Sequence, residues 1–413
     1  MKRKLLIVAA ILTGGITLAQ TTETISIGAG YVNENYYKLS DGSENSVVRA
    51  DWDLAFAANG LGFASSTIRI NGGSGAVLYK YSNTISDWST VDTTSFDWST
   101  NKLRNSDEDW TTGAFNSLIP TSAFDLGWGT YSTATHVVSG DRIFILKLVD
   151  GSFRKLIVEN LQGGVYTVKY ADINGANETT KTVTKSTYSG KNFGYLSVQN
   201  GTVLDREPIA ASWDLLFTGY QRGLDGYGVK GVLANSDVKV ARAHPVNDPT
   251  TEGFAGKNFT SDIGTIGYDW KTINFSTFQW DITDSLVYFV EVPNKDVYRI
   301  IFTAFGGSSN GNFVFTKEKI GTTVGIEDGK VSEEILNVYP NPATSEINLT
   351  FIGGAEQTLL SIYDVSGKEV FQKQINNIGL NQENIDVSNL DRGIYILMLT
   401  TENSHSSQKI IIQ

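Results

Sequence analysis

Large apolar side chains fall on every second residue in Trp52-Asp53-Leu54-Ala55-Phe56, and Ile68 and Ile70 flank Arg69 in the same way. That alternation predicts strands with one buried face. Asn71-Gly72-Gly73 follows and predicts a tight turn whose glycines take positive φ. The phrase returns as Ser212-Trp213-Asp214-Leu215-Leu216-Phe217, at an offset of 161 from Trp52 to Trp213, where Val229-Lys230 falls on Ile68-Arg69. A second pair, Phe153-Arg154-Lys155-Leu156-Ile157-Val158 and Val297-Tyr298-Arg299-Ile300-Ile301-Phe302, matches at an offset of 144. At that offset Trp280 is the counterpart of His136. Two long blocks in the same order predict a duplicated domain and not a solenoid, whose units are far shorter.

The remaining pattern divides the chain. Lys2, Arg3 and Lys4 precede an apolar run from Leu5 to Leu18 and the pair Ala19-Gln20, which predicts a secretory signal over residues 1–19. The first repeat is expected over 20–180 and the second over 185–321, with an acidic linker at 322–335. Short alternating runs with turns between them predict a small β-sandwich over 336–413. Within the first repeat, the polar stretch from Ser86 to Ser122 carries Trp88, Trp98 and Trp110. These tryptophans either pin a long loop to the body or cover a ligand. Asp107-Glu108-Asp109 lacks the alternating ligands and central glycine of a calcium loop, and reads as a solvated charge run.

Composition narrows the class. Glycine is plentiful, proline scarce and helical periodicity nearly absent across the 413 residues, so the fold is expected to be all-β. A net charge of −11 argues against nucleic-acid binding, which needs basic surface. No later segment predicts a transmembrane helix. With no cysteine there is no disulfide, zinc-thiolate site, iron–sulfur cluster or lipoprotein anchor. His136, His244 and His405 are the whole stock of histidine, so acid–base or metal chemistry has little material and no enzyme is expected.

Tyr339-Pro340-Asn341-Pro342, Asp364-Val365-Ser366-Gly367, Arg392-Gly393-Ile394-Tyr395 and the basic-apolar end Lys409-Ile410-Ile411-Ile412 occur in that order. The module they define resembles the type A C-terminal sorting domain of the type IX (Por) secretion system of Bacteroidetes. The resemblance implies export to the cell surface or release, with the secretion machinery as a partner.

The repeats resemble the HmuY-like haem-binding family of the same bacteria. In the first, the likeness rests on Trp52-Asp53-Leu54-Ala55, Arg69 with Asn71-Gly72-Gly73, Trp128 with Tyr131, His136, Gly151 with Phe153, Lys155 and Leu156, and the strand Gly164–Tyr170. In the second it rests on Trp213-Asp214-Leu215, the hairpin and the closing strand. The resemblance implies two β-rich domains and a haem b held between axial side chains. Family members use paired histidines or methionines; here the first repeat offers His136, and a second ligand would be a tyrosine, a lysine or none. His136 as axial iron ligand beside Trp128 and Tyr131 is therefore the candidate site, since haem needs an apolar slot and a basic axial group. The competing expectation is a surface glycan-binding or adhesion protein whose aromatic residues stack on a ligand.

Overall fold

The computed structural model describes residues 20–58, 66–122, 124–223, 225–323, 335–353, 358–375, 379–400 and 405–413. The expected signal and most of the expected linker lie outside them. Among the described residues the sheets are antiparallel, joined by loops and short 3-10 turns, with one single-turn α-helix, Gly307–Asn310.

Two β-sandwich lobes carry the duplication. In lobe 1 one sheet runs in the order Thr179–Thr184, Val165–Ala171, Phe153–Gln162, Ile143–Lys147, Val77–Ser82 and Lys102–Leu103. The hairpin of Gly129–Ser132 and Val137–Gly140 joins it at Phe153–Gln162. A four-stranded sheet faces it, in the order Thr202–Leu204, Phe193–Ser197, Leu54–Ala57 and Ile68–Ile70. Leu54, Phe56, Ile68, Ile70, Phe144, Leu156, Tyr166 and Trp128 pack between the two. Lobe 2 repeats the plan. Thr21–Ser26, Asn312–Thr322, Asp296–Phe305, Val287–Glu291 and Lys239–Ala243 make one sheet. Tyr227–Ala234, Leu215–Arg222, Asn33–Tyr37 and Glu44–Val48 make the other, and Lys271–Asn274 with Gln279–Ile282 is the matching hairpin.

The lobes exchange strands. Thr21–Ser26 and Asn33–Tyr37 belong to lobe 2, pairing with Asn312–Thr322 and Leu215–Arg222. Phe193–Ser197 completes lobe 1 beside Leu54–Ala57. Lobe 1 thus takes strands from about 54 to 204, and lobe 2 takes the leading strands together with those from 215 to 322, in place of blocks at 20–180 and 185–321. Alternation specifies that a segment is a strand and which face it buries, but not which strand lies beside it.

Registers also revise the internal alignment. Ile68 stands opposite Phe56 and Val232 opposite Phe217, so the counterpart of Ile68-Arg69 is Val232-Leu233, three residues beyond Val229-Lys230. His136 has φ 56 and donates its N–H to Ser132 O; Phe278 has φ 55 and donates to Asn274 O. Phe278, and not Trp280, is therefore the counterpart of His136. Trp128 and Trp270, both fully buried, open the two hairpins at equivalent places.

The expected glycine turn serves another purpose. Gly72 and Gly73 lie in a short 3-10 turn over Gly72–Ser74, and the left-handed residue there is Gly75, with φ 105. A Cβ on Gly73 would stand 1.8 Å from Gly219 O, and one on Gly72 2.6 Å from the Gln221 amide oxygen. These glycines let the turn press against a strand of lobe 2.

The C-terminal module is a sandwich of three and four strands around Ile347, Leu349, Leu360, Ile362, Leu397 and Ile410. Its Asp364 carboxylate accepts from the N–H groups of Ser366 and Lys368, and Gly367 takes φ 84. The side chain caps the hairpin turn and fixes its geometry.

Candidate functional site

Each lobe turns the outer face of its four-stranded sheet toward the other, and the duplicated phrases supply matching residues. Tyr36 sits opposite Leu216 and packs edge-on against Trp213, ring centres 5.0 Å apart; Tyr195 sits opposite Ala55 and packs edge-on against Trp52 at 5.1 Å. Behind each pair an asparagine holds the loop. The Asn71 amide donates to the carbonyls of Arg49 and Trp52, and the Asn235 amide to those of Ala210 and Trp213. Asp53 accepts from Gln199 N and Asp214 from Leu39 N, each tying its motif strand to the neighbouring strand's end. A pseudo-twofold relation therefore runs between the lobes.

Where the faces meet they leave a cavity of about 80 Å³. Its walls include Trp52, Trp110, Trp213, Tyr36, Tyr195 and Phe193, with polar groups from Arg69, Asn71, Asn192 and Glu207. That is space for several water molecules or a compact ligand.

A polar chain crosses the pseudo-axis. The side chains of Tyr36 and Tyr195 interact electrostatically there. Tyr195 also donates to Glu207 at 2.7 Å, and the other Glu207 oxygen accepts from Asn192 N. Burial pushes the Glu207 carboxyl up to about 7, against the pull of those donors and of Arg206. Beside it Arg206 donates to Glu34 at 2.5 Å and stands 3.0 Å from Asp51, and Glu34 also accepts from Thr218. This ion pair joins the strand Asn33–Tyr37 of lobe 2 to the segment that follows Thr202–Leu204 of lobe 1.

The polar stretch of lobe 1 closes one side. The Arg69 guanidinium donates to Ser106 O and Asp109 O and lies 5.0 Å from the centre of the Trp110 ring. Desolvation lowers its pKa to about 10. Trp110 then crosses to lobe 2, its indole N–H donating to Ala234 O at 2.9 Å. Trp88 and Trp98 are pins. Trp88 donates to Glu178 and lies under the ammonium groups of Lys155 and Lys169, while Trp98 packs with Tyr79, Phe96 and Phe153. Of the three, Trp110 alone lines the cavity.

The sequence-predicted residues lie elsewhere. Trp128 is sealed in the lobe 1 core with its indole N–H donating to Ser66 O at 2.9 Å. Tyr131 is nearly buried and its hydroxyl is 2.8 Å from His136 Nδ1, while His136 itself is exposed on the hairpin turn. None of the three lines the interlobe cavity. Tyr36, Tyr195 and Glu207 escaped sequence reasoning. The repeated placement of Tyr36 and Tyr195 ahead of Trp52 and Trp213 was the available signal. Among the described residues no cluster of three histidine or carboxylate side chains is placed to hold a metal ion.

Residues 337–413 match the family model described as a secretion system C-terminal sorting domain. The protein is exported by type IX secretion, to the cell surface or beyond it. The match stops short of the two lobes, whose likeness to the HmuY-like family has no support from it. No curated protein matches the chain. Among solved structures, dimeric latent PorU from Porphyromonas gingivalis is similar over 72% of this chain and 33% of its own length, with 10% identity and a TM-score of 0.17. The chain therefore spans about a third of that protein. Among the described residues no helix is long and apolar enough to cross a membrane.

Proposed function

We propose that the exported protein acts by binding, and that the interlobe cavity is where it holds a compact ligand of sugar size. The observation that carries this reading is the convergence of Trp52, Trp110 and Trp213 with Tyr36 and Tyr195 on one cavity. Aromatic faces stack on the apolar face of a sugar ring, and the nearby amides and carboxyl can meet its hydroxyls. This corresponds to the glycan-type expectation. Titration with a panel of mono- and disaccharides, read by tryptophan fluorescence, tests it. Saturable quenching or a blue shift is expected with at least one sugar, and a flat response across the panel would contradict it.

Haem binding is the second reading, and one observation favours it. The Tyr131 hydroxyl engages Nδ1 of the exposed His136, which leaves Nε2 as the nitrogen that would bind an iron. With Trp128 sealed away, such a haem would sit against an exposed hairpin with one axial protein ligand. A Soret shift lost in His136→Ala would support it.

A further inference from the structure

Lobe 2 differs from lobe 1 at one end of its sandwich. In lobe 1 the Trp128 indole donates to Ser66 O, and residue 129 is glycine. In lobe 2 the equivalent carbonyl, that of Lys230, accepts instead from Lys271 Nζ at 2.7 Å, and the Trp270 indole N–H is left without a partner. The Lys271 ammonium lies 4.1 Å from the centre of the Trp270 ring and 4.5 Å from that of Phe305, on which Tyr31 stacks. Lys230 Nζ reaches over the other ring of that stack, 5.3 Å from the Tyr31 centre. Arg49 joins them, its Nε donating to Tyr31 O. A Cβ on Gly219 would stand 2.8 Å from Lys230 Nζ and 3.1 Å from Arg49 Nη1, so the absence of a side chain there lets the two cations converge.

Two cations, Arg49 and Lys230, thus meet at Gly219, with Lys271 buried and bonded to the Lys230 carbonyl, in a protein of net charge −11, and among the described residues none of the three pairs with a carboxylate. The acidic groups that act on them are committed elsewhere. Glu34, which acts on Arg49, is bound by Arg206; Asp269, which acts on Lys271, is bound by Arg242 at 2.7 Å. Lys230 Nζ donates to no group among the described residues, and Lys230, Arg49 and Tyr31 are all partly exposed. Tyr31 holds a left-handed backbone, φ 61, uncommon for an aromatic residue, to present its ring there.

We propose that Arg49, Lys230 and Lys271 form a site for a small oxyanion, phosphate or sulfate, held over Tyr31. The Lys230 ammonium and the part of the Arg49 guanidinium not bonded to Tyr31 O, Gly73 O and Ser74 Oγ supply charge-assisted donors, while Lys271, bonded to the Lys230 and Tyr268 carbonyls, adds positive charge, and partial burial strengthens the site. Burial lowers Lys230 to about 8 and Lys271 to about 7, so an anion raises both and is held more weakly as pH rises through that range. None of Arg49, Lys230, Lys271 and Tyr31 lines the interlobe cavity.

Calorimetric titration of the full exported chain with sodium phosphate and with sodium sulfate, against sodium chloride at matched ionic strength, tests the proposal. One saturable site per chain is expected for at least one of the two oxyanions, weakening as pH goes from 6 to 9. Lys230→Gln should reduce the affinity tenfold or more, and because Lys230 Nζ bonds nothing the variant should fold. Lys239→Gln, an exposed lysine on another strand, should leave it unchanged. Heats no different from chloride, or an affinity that Lys230→Gln leaves intact, would overturn the assignment.

Discussion

The two lobes share a plan and differ where they have something to do. At the hairpin that closes each core, lobe 1 has Trp128-Gly129 and a satisfied indole, whereas lobe 2 has Trp270-Lys271 and an amine in its place. At the hairpin tip lobe 1 shows His136 and lobe 2 the exposed pair Phe275 and Phe278. The polar insertion of lobe 1 reaches across to its partner through Trp110, while the corresponding loop of lobe 2 packs Val246, Phe254 and Phe259 onto its own sheet. Duplication preserved the strands and their caps. Divergence is concentrated at the sandwich ends and in the loops, where a change leaves the core packing alone.

The largest test of this comparison concerns the exchanged strands. Deleting residues 20–48 takes Ile25, Ile27, Tyr37 and Leu39 out of the lobe 2 core. At roughly 1.5–3 kcal/mol for each buried side chain, the loss of about 6–12 kcal/mol rivals the whole stability of a domain. Lobe 2 should then be unfolded at room temperature while lobe 1 keeps its thermal transition, as calorimetry and limited proteolysis would report. A lobe 2 that survives the deletion would break the strand exchange.

The pseudo-axis allows a finer comparison. Tyr195→Phe removes a donor from buried Glu207 and should cost about 1–3 kcal/mol, whereas Tyr36→Phe takes no donor from a buried carboxyl and should cost less. Urea denaturation of the two variants measures the difference, and equal losses would mean that Glu207 does not depend on Tyr195.

Lys271 makes lobe 2 respond to pH. Its folded pKa is depressed to about 7, while an unfolded lysine stays near about 10.4. Between those values the unfolded chain holds a proton that the native one has released, so stability rises with pH from about 7 to about 10. Lys271→Met should flatten that rise and raise stability at neutral pH by about 1–2 kcal/mol, also freeing Lys230 O for the Trp270 indole. An unchanged slope in thermal melts from pH 7 to 10 would refute it.

The smallest effect checks the revised alignment. His136 and Phe278 each hold a left-handed backbone at the same turn. Glycine at either place should stabilise its lobe by about 1 kcal/mol. A gain at one and a loss at the other would show that the two turns are not equivalent.

Much of the fold was legible in the residues. Trp52-Asp53-Leu54 and Trp213-Asp214-Leu215 announced strands because their period of two survives in any partner arrangement. The sorting module was legible for the same reason, and because Asp364 and Gly367 encode a local turn. Partner choice was not, since Tyr36 could pair with its own motif strand or the other's without any change in local pattern. The glycines after Asn71 looked like turn residues; what they permit is contact with Gly219, some 146 positions away (219 minus 73), which no local pattern contains. The site was harder still. His136, Trp128 and Tyr131 are close in sequence, yet one faces solvent and one is sealed in the core. The cavity residues come from eight separate segments and meet because the lobes do.

The most direct test of the interlobe site sets it against the hairpin histidine. Trp213→Phe and His136→Ala versions of the exported chain are titrated in parallel with the sugar panel and with haem, following tryptophan emission and the Soret band. The account predicts a compact ligand whose tryptophan signal is reduced or lost in Trp213→Phe and unchanged in His136→Ala. A micromolar Soret shift abolished by His136→Ala, with no sugar response in the unaltered chain, would contradict it.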